Sequence, residues 1–254
     1  MKPQNGSVRV TRKMTAEDPR PQTDAERAER RLLLVEVTRN LLFFCILIAL
    51  LFLSAGRLDY WQGWLLVGLM AVQTVVSLLQ FSGNTSLAAE RLKPGPGTKP
   101  WDKLFMALYF PLSMGIFVVG GLDAGRFGWT RGLPVWVYPV SVAVYCASFA
   151  FTRWAMQTNR WFSSVVRIQT ERGQRVVQDG PYRFVRHPGY TGIIGSFLSA
   201  PFILGSFWSL VPATAVVLLL IVRTALEDSM LQEELAGYAG YAVRVRYRLL
   251  PGIW

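Results

Sequence analysis

Histidine and cysteine are nearly missing from this chain: its 254 residues hold one of the first and two of the second. That scarcity rules out the ligand spacings of zinc or iron–sulfur sites and the disulfide framework of a small secreted domain, so no metal site is expected. Cys45 and Cys146 both fall within apolar runs, where a cysteine is expected to be a small buried hydrophobe. No signal-peptide core opens the chain. The stretch Pro94-Gly-Pro-Gly97 lacks the spacing of a phosphate loop and reads as a turn. The terminal Leu-Leu-Pro-Gly-Ile-Trp carries no prenylation signal. Acidic residues are also few, 16 against 27 Lys and Arg, which leaves a net charge of +11.

What is abundant is apolar sequence, 52% of the chain. Charges gather in blocks separated by apolar runs of about 16–22 residues, each roughly long enough to cross a hydrocarbon core of ~30 Å. The pattern predicts an all-α polytopic membrane bundle of about six spans, near 32–54, 60–81, 101–122, 134–156, 189–204 and 207–222. The last two would form a tight hairpin, and the third would bend at Pro111. Residues 1–31 read as a basic, disordered tail that passes into an amphipathic start around Asp24 and is suited to acidic lipid headgroups. Glu36 and Arg39 are spaced to pair on the first helix. Residues 32–157 form a four-span part and 158–254 a second part, in which 165–168 and 175–177 suggest extended segments under the bundle.

Charge position orients the bundle. The tail carries eight Lys and Arg, the second-to-third connection four, the fourth-to-fifth seven and the C-terminal segment three, while the opposite connections hold only Arg57, Arg126 and Arg131. The positive-inside rule then places both termini, and the polar segments between spans four and five, in the cytoplasm.

The lone histidine sits in Asp179-Gly-Pro-Tyr-Arg-Phe-Val-Arg-His-Pro-Gly-Tyr190, where a polar loop meets an apolar run. Pro188 suits a first helical position, with His187 as its cap. A helix starting there would direct free N–H groups and a positive dipole end at an anion. Arg186 and His187 would add donors, and Tyr182 and Tyr190 would add hydroxyls and faces able to hold a cation. A capped helix start with arginines reaching for headgroups accounts for the same residues. Further on, Arg223 closes an apolar run and Glu227 follows one turn later on the same face. Ionisable groups there are costly unless paired or functional, so a structural ion pair and a reactive site both remain open.

Taken together, these residues resemble a known family. Gly180-Pro-Tyr-Arg-Phe-Val-Arg-His-Pro-Gly-Tyr190 is similar to the Gly-x-Tyr-x-x-x-Arg-His-Pro-x-Tyr signature of isoprenylcysteine carboxyl methyltransferases, which are related to membrane phospholipid N-methyltransferases. Arg223, the acidic pair Glu227-Asp228, Tyr238, Tyr241 and the Pro251-Gly-Ile-Trp254 ending follow in that family's order, and the resemblance covers about 158–254. It implies S-adenosylmethionine as cofactor, with Gln174, Arg175, Val176, Val177, Tyr182, His187, Pro188, Gly189 and Tyr190 lining its pocket. Glu227 would reach that pocket from the C-terminal helix, and Arg223 would bind the acceptor. Arg223 and Glu227 would be the catalytic pair. The family's acidic pair is usually Glu-Glu, so the resemblance assigns less to Asp228.

The function implied is an integral membrane methyltransferase with its active site facing the cytoplasm. Its acceptor would be lipophilic or membrane-borne, most simply a carboxylate of the isoprenylcysteine type, and no nucleic-acid partner is expected. A carboxylate acceptor needs an orienting cation rather than a base, and arginine's fork suits it. An amine would instead need Glu227 or Asp228 as base. Two other readings stay open: an NADPH-dependent membrane sterol-type reductase, and a non-catalytic lipid-binding protein of the same fold.

Overall fold

A computed structural model describes residues 24–81 and 99–254. The basic tail before Asp24, the Pro-Gly-Pro-Gly turn and the side chain of Glu36, with its expected pairing to Arg39, lie outside the described residues.

All regular structure among the described residues is helical. Helix α1 spans Asp24–Ala55 and ends at Gly56, whose φ of 67° is the left-handed value that a glycine accommodates without strain. Helix α2 spans Trp61–Phe81. Helix α3, Pro100–Gly120, begins with a proline, runs through Pro111 and continues as a π-helical turn over Gly121–Phe127. Helices α4 (Val137–Thr158), α5 (Pro188–Ile203), α6 (Leu210–Glu234) and the short α7 (Tyr238–Arg244) follow among the described residues.

Among the described residues, four helical stretches are long and apolar enough to cross a membrane: Val37–Ala55, Trp61–Leu79, Pro100–Phe127 and Leu210–Glu234. The other two expected spans, α4 and α5, form as helices but do not reach that standard. Helix α5 has 16 residues, about 24 Å at 1.5 Å per residue, short of a ~30 Å core. Helix α4 has the length, but Tyr138, Ser141, Tyr145, Thr152 and Arg153 dilute its apolar character.

These two helices pack closely on each other because α5 presents glycines. A Cβ at Gly192 would lie 2.6 Å from the Ser148 carbonyl oxygen and 2.9 Å from the Thr152 nitrogen, and one at Gly195 would lie 2.3 Å from Ser148 Oγ. Small residues of this kind let membrane helices approach backbone to backbone. Gly192→Ala should therefore destabilise the fold by about 1–3 kcal/mol, since backbone atoms cannot yield as a side chain can. A detergent-solubilised variant that melts at the wild-type temperature would contradict this close approach.

Helix α3 packs on both α1 and α6, and α5 packs between α4 and α6. One end of the bundle is closed by Leu47, Leu51, Tyr60, Leu66, Ile116, Ile203 and Leu204, all buried. There, Asp123, fully buried at the π-turn, accepts bonds from Thr130 N (2.6 Å), Thr130 Oγ1 (2.5 Å) and Ser206 Oγ (2.5 Å). The Tyr60 hydroxyl donates to the Leu204 carbonyl. The opposite end holds the polar segment 159–187 and the C-terminal residues, so the His187 junction and the charged C-terminal segment do share one end.

The two cysteines depart from expectation. Cys45 and Cys146 are free and exposed on helix surfaces. An apolar run marks contact with an apolar medium, and for a bundle in lipid that medium includes the bilayer as well as the core.

Candidate active site

Between α4 and α5 the chain runs irregularly beneath the bundle, broken only by 3-10 turns at Thr170–Arg172 and Gly180–Arg183. The stretches 165–168 and 175–177 carry no strand pairing. Side chains satisfy the backbone instead. Gln169 N donates to Gln174 Oε1 (2.7 Å), Gln169 Nε2 donates to the Trp161 carbonyl (2.7 Å), and Val166 N donates to Asp102 Oδ2 (2.8 Å).

Pro188 occupies the first turn of α5 as expected, and His187 takes the position before it. The His187 side chain does not cap the helix. Its Nε2 lies 3.0 Å from Asp228 Oδ1, and that carboxylate gathers much of the local charge. Arg186 grips it with two bonds of 2.8 Å, Tyr238 donates at 2.9 Å, Gln232 at 2.9 Å and Arg248 Nε at 3.0 Å. Burial, and then the adjacent carboxylate, push the Tyr238 phenol well up, so it stays protonated as a donor. Arg186 Nη1 also donates to the Val245 and Arg246 carbonyls, both at 2.9 Å, beyond the end of α7. The backbone N–H groups of Arg186 and His187 bond to the Tyr247 and Arg248 carbonyls at 2.9 Å each.

This corrects two expectations. Arg186 bonds to Asp228 and to backbone carbonyls, and His187 Nε2 lies against the same carboxylate, although both residues line the cavity above. Asp228, to which the family pattern gave less weight, is fully buried and is the most connected carboxylate of this end. A buried carboxylate must find donors wherever the fold supplies them, and here the junction supplies them.

Above this hub lies a cavity of about 800 Å³, open mouth included. Nine of the ten residues expected around a cofactor line it: Gln174, Arg175, Val176, Val177, Tyr182, His187, Gly189, Tyr190 and Glu227. Pro188 is buried and does not line it, and neither does Arg223. The Tyr190 hydroxyl donates to Glu227 Oε2 at 2.5 Å, which fixes the carboxylate at the wall. The Tyr190 ring separates this wall from Arg223, whose guanidinium carbon lies 5.6 Å from that ring and 4.4 Å from the Phe105 ring. Arg223 pairs with Asp102 rather than Glu227: Nη2 is 2.9 Å from Asp102 Oδ1 and 2.8 Å from the Ser164 carbonyl.

The lining suits a zwitterionic nucleoside derivative. The first N–H groups of α5 have no side-chain cap, which is the arrangement that receives a carboxylate. Arg167 Nε is buried in the wall without a hydrogen-bond partner, although Nη1 of the same group holds Glu171 at 2.5 Å. A buried donor without a partner is costly and is open to one supplied from outside the chain. Trp161, Phe162, Tyr182 and Tyr190 supply flat faces, and Glu227 a negative charge.

Several residues of this end were not singled out from sequence. Asn159, Trp161, Phe162, Met230 and Leu231 line the cavity from the ends of α4 and α6. Their residue types are those of any membrane border, so no pattern marked them. Asp102 did carry a signal: an acid at the start of an apolar span must find a partner.

Residues 141–233 match the model of the isoprenylcysteine carboxyl methyltransferase (ICMT) family. The match runs from α4 to α6 and takes in the junction, Arg223, Glu227 and Asp228. It leaves out Asp102 and the residues from 234 onward. No curated protein matches the chain.

Proposed function

We infer that this chain, which resembles the ICMT family over residues 141–233, is an integral membrane methyltransferase that transfers the methyl group of S-adenosylmethionine to the carboxylate of a lipophilic acceptor. The observation that carries this reading is the single cavity that gathers Gln174, Arg175, Val176, Val177, Tyr182, His187, Gly189, Tyr190 and Glu227. The uncapped start of α5 and Arg167 would hold the cofactor's carboxylate, and Glu227 its ammonium group. Bound there, the cofactor would supply a methyl group made electrophilic by a sulfonium. His187 holds Asp228 and so fixes the floor. Tyr190 orients Glu227 through its hydroxyl and offers its face toward Arg223. Arg223 would orient the acceptor carboxylate, and the apolar cluster of Phe105, Val216 and Leu220, whose Phe105 ring lies against the guanidinium, would keep water away.

The acceptor would be lipidic, of which an isoprenylcysteine is one form, and would arrive from the bilayer. The cofactor would enter from the cytoplasm, because this end carries the basic connection between α4 and α5 and the basic C-terminal segment. In that arrangement α4 and α5 act as the fourth and fifth of six spans.

The test is calorimetric titration of the detergent-purified protein with S-adenosylhomocysteine, with NADPH in parallel. The expected result is micromolar binding of the first and none of the second. Glu227→Gln should weaken S-adenosylhomocysteine by about tenfold, the loss of one charged hydrogen bond. NADPH binding alone would move the chain to the reductases. Binding of neither ligand by folded protein would leave a non-catalytic lipid-binding protein.

A further inference from the structure

The ion pair behind Tyr190 raises a chemical question. Asp102 and Arg223 are both buried, with side-chain exposures of 0% and 8%. Asp102 Oδ1 lies 2.9 Å from Arg223 Nη2 without receiving an aligned hydrogen bond, while Oδ2 takes the Val166 N–H. Arg223 Nε is buried and has no hydrogen-bond partner. The arginine is thus neutralised by a charge contact at one nitrogen and left with an unused donor at another.

We propose that Asp102 is a positioning residue that offsets the charge of Arg223, so that the guanidinium orients an acceptor carboxylate through Nε without holding it too tightly to react. This rests on the function proposed above. Methyl transfer to a carboxylate destroys charge. A carboxylate oxygen forms the new C–O bond as the S–CH₃ bond breaks and leaves its electron pair on sulfur. Carboxylate and sulfonium become a neutral ester and a neutral thioether, and no proton moves. An unopposed buried cation would bind the carboxylate more strongly before transfer than during it, which raises the barrier. Once the ester had formed, the same cation would be left buried and unpaired, with its desolvation uncompensated. Asp102 meets both difficulties, because Arg223 has a counter-charge in the empty, loaded and product-bound protein. Through Val166 the same carboxylate fixes the cavity wall, so the acceptor's arginine and the cofactor's wall share one brace.

The test compares wild type and Asp102→Asn, each saturated with S-adenosylhomocysteine and titrated in the same micelles with dodecanoate and with methyl dodecanoate. Asp102→Asn should bind the acid about tenfold or more tighter than wild type, because its guanidinium is unopposed, and the ester and S-adenosylhomocysteine within about threefold. Unchanged, weaker or absent binding of the acid overturns the proposal. So does a parallel loss of S-adenosylhomocysteine binding, which would make Asp102 only a structural brace. With any acceptor that wild type methylates, KM and kcat should both fall in Asp102→Asn; a fall in kcat alone overturns it. If the variant does not fold, wild type decides. An offset clamp prefers dodecanoate to its ester by less than about tenfold, and a preference near 100-fold means that the cation is unopposed. Failure of wild type to bind S-adenosylhomocysteine sinks the methyltransferase reading itself and is distinguishable from these outcomes.

Discussion

Asp228→Ala should cost about 3–5 kcal/mol, the penalty for removing one partner of a buried charge cluster. Arg186 sits in the junction, Arg248 in the C-terminal segment, Tyr238 in α7 and Gln232 on α6 itself, and all four bond to this one carboxylate. Without it, the Arg186 guanidinium, 5% exposed, would remain buried with only carbonyls as partners. The damage should be local before it is global. The segment from 235 onward is held to the junction by Arg186, by the 2.9 Å backbone pairing of 186 and 187 with 247 and 248, and by the Thr191–Leu249 bond of 2.8 Å. Limited proteolysis should therefore cut this segment early, and S-adenosylhomocysteine binding should fall with it, since Tyr238, Tyr241 and Leu235 line the cavity. Asp228→Asn should lie between, as an amide keeps one acceptor and loses the charge. Wild-type melting and proteolysis in Asp228→Ala would show that this carboxylate does not anchor the C-terminal segment.

Arg223→Lys should lower methyl transfer by about 100-fold or more while leaving S-adenosylhomocysteine affinity within about threefold. Lysine keeps the charge beside Asp102, so the fold retains its counter-ion, but it lacks the planar fork and the Nε donor. Arg223→Ala would also abolish transfer, but it would strand Asp102 as a buried lone charge. Because Asp102 bonds to Val166 in the cavity wall, that loss would spread to the cofactor side. The lysine variant thus separates orientation of the acceptor from integrity of the pocket. Equal loss of transfer and of cofactor affinity in Arg223→Lys would end the division of labour between Arg223 and the cavity.

Much of this end of the molecule was legible in sequence, and the remainder was hidden for physical reasons. The Pro188 helix start follows from a pattern one or two residues wide, which local chemistry dictates. That residues 174–177 share a cavity with His187, Gly189 and Tyr190 followed from the motif resemblance, whereas Pro188 stays out of it. The partners of Asp228 and Arg223 did not follow, because they come from residues such as Asp102 and Arg248, which chain spacing cannot relate. Helical spacing put Glu227 beside Arg223, yet Tyr190 took the carboxylate and Asp102 the guanidinium. A helix face offers several partners, and tertiary packing selects among them. The span count shows the same limit: α4 and α5 form where apolar runs place them, but length and composition leave them short of the four clear spans.

The two buried acids at the ends of the α3–π segment also bear on the order in which the protein is assembled. Asp123 reaches Thr130 only seven residues on, but its third donor, Ser206, comes 83 residues later. Asp102 waits 64 residues for the N–H of Val166, and for its cation until Arg223 has been synthesised. An acid without partners is expensive in a hydrocarbon layer. The third helix is therefore made early but gains the last partner of each acid only with the closing hairpin, Ser206 at its turn for Asp123 and Arg223 on α6 for Asp102.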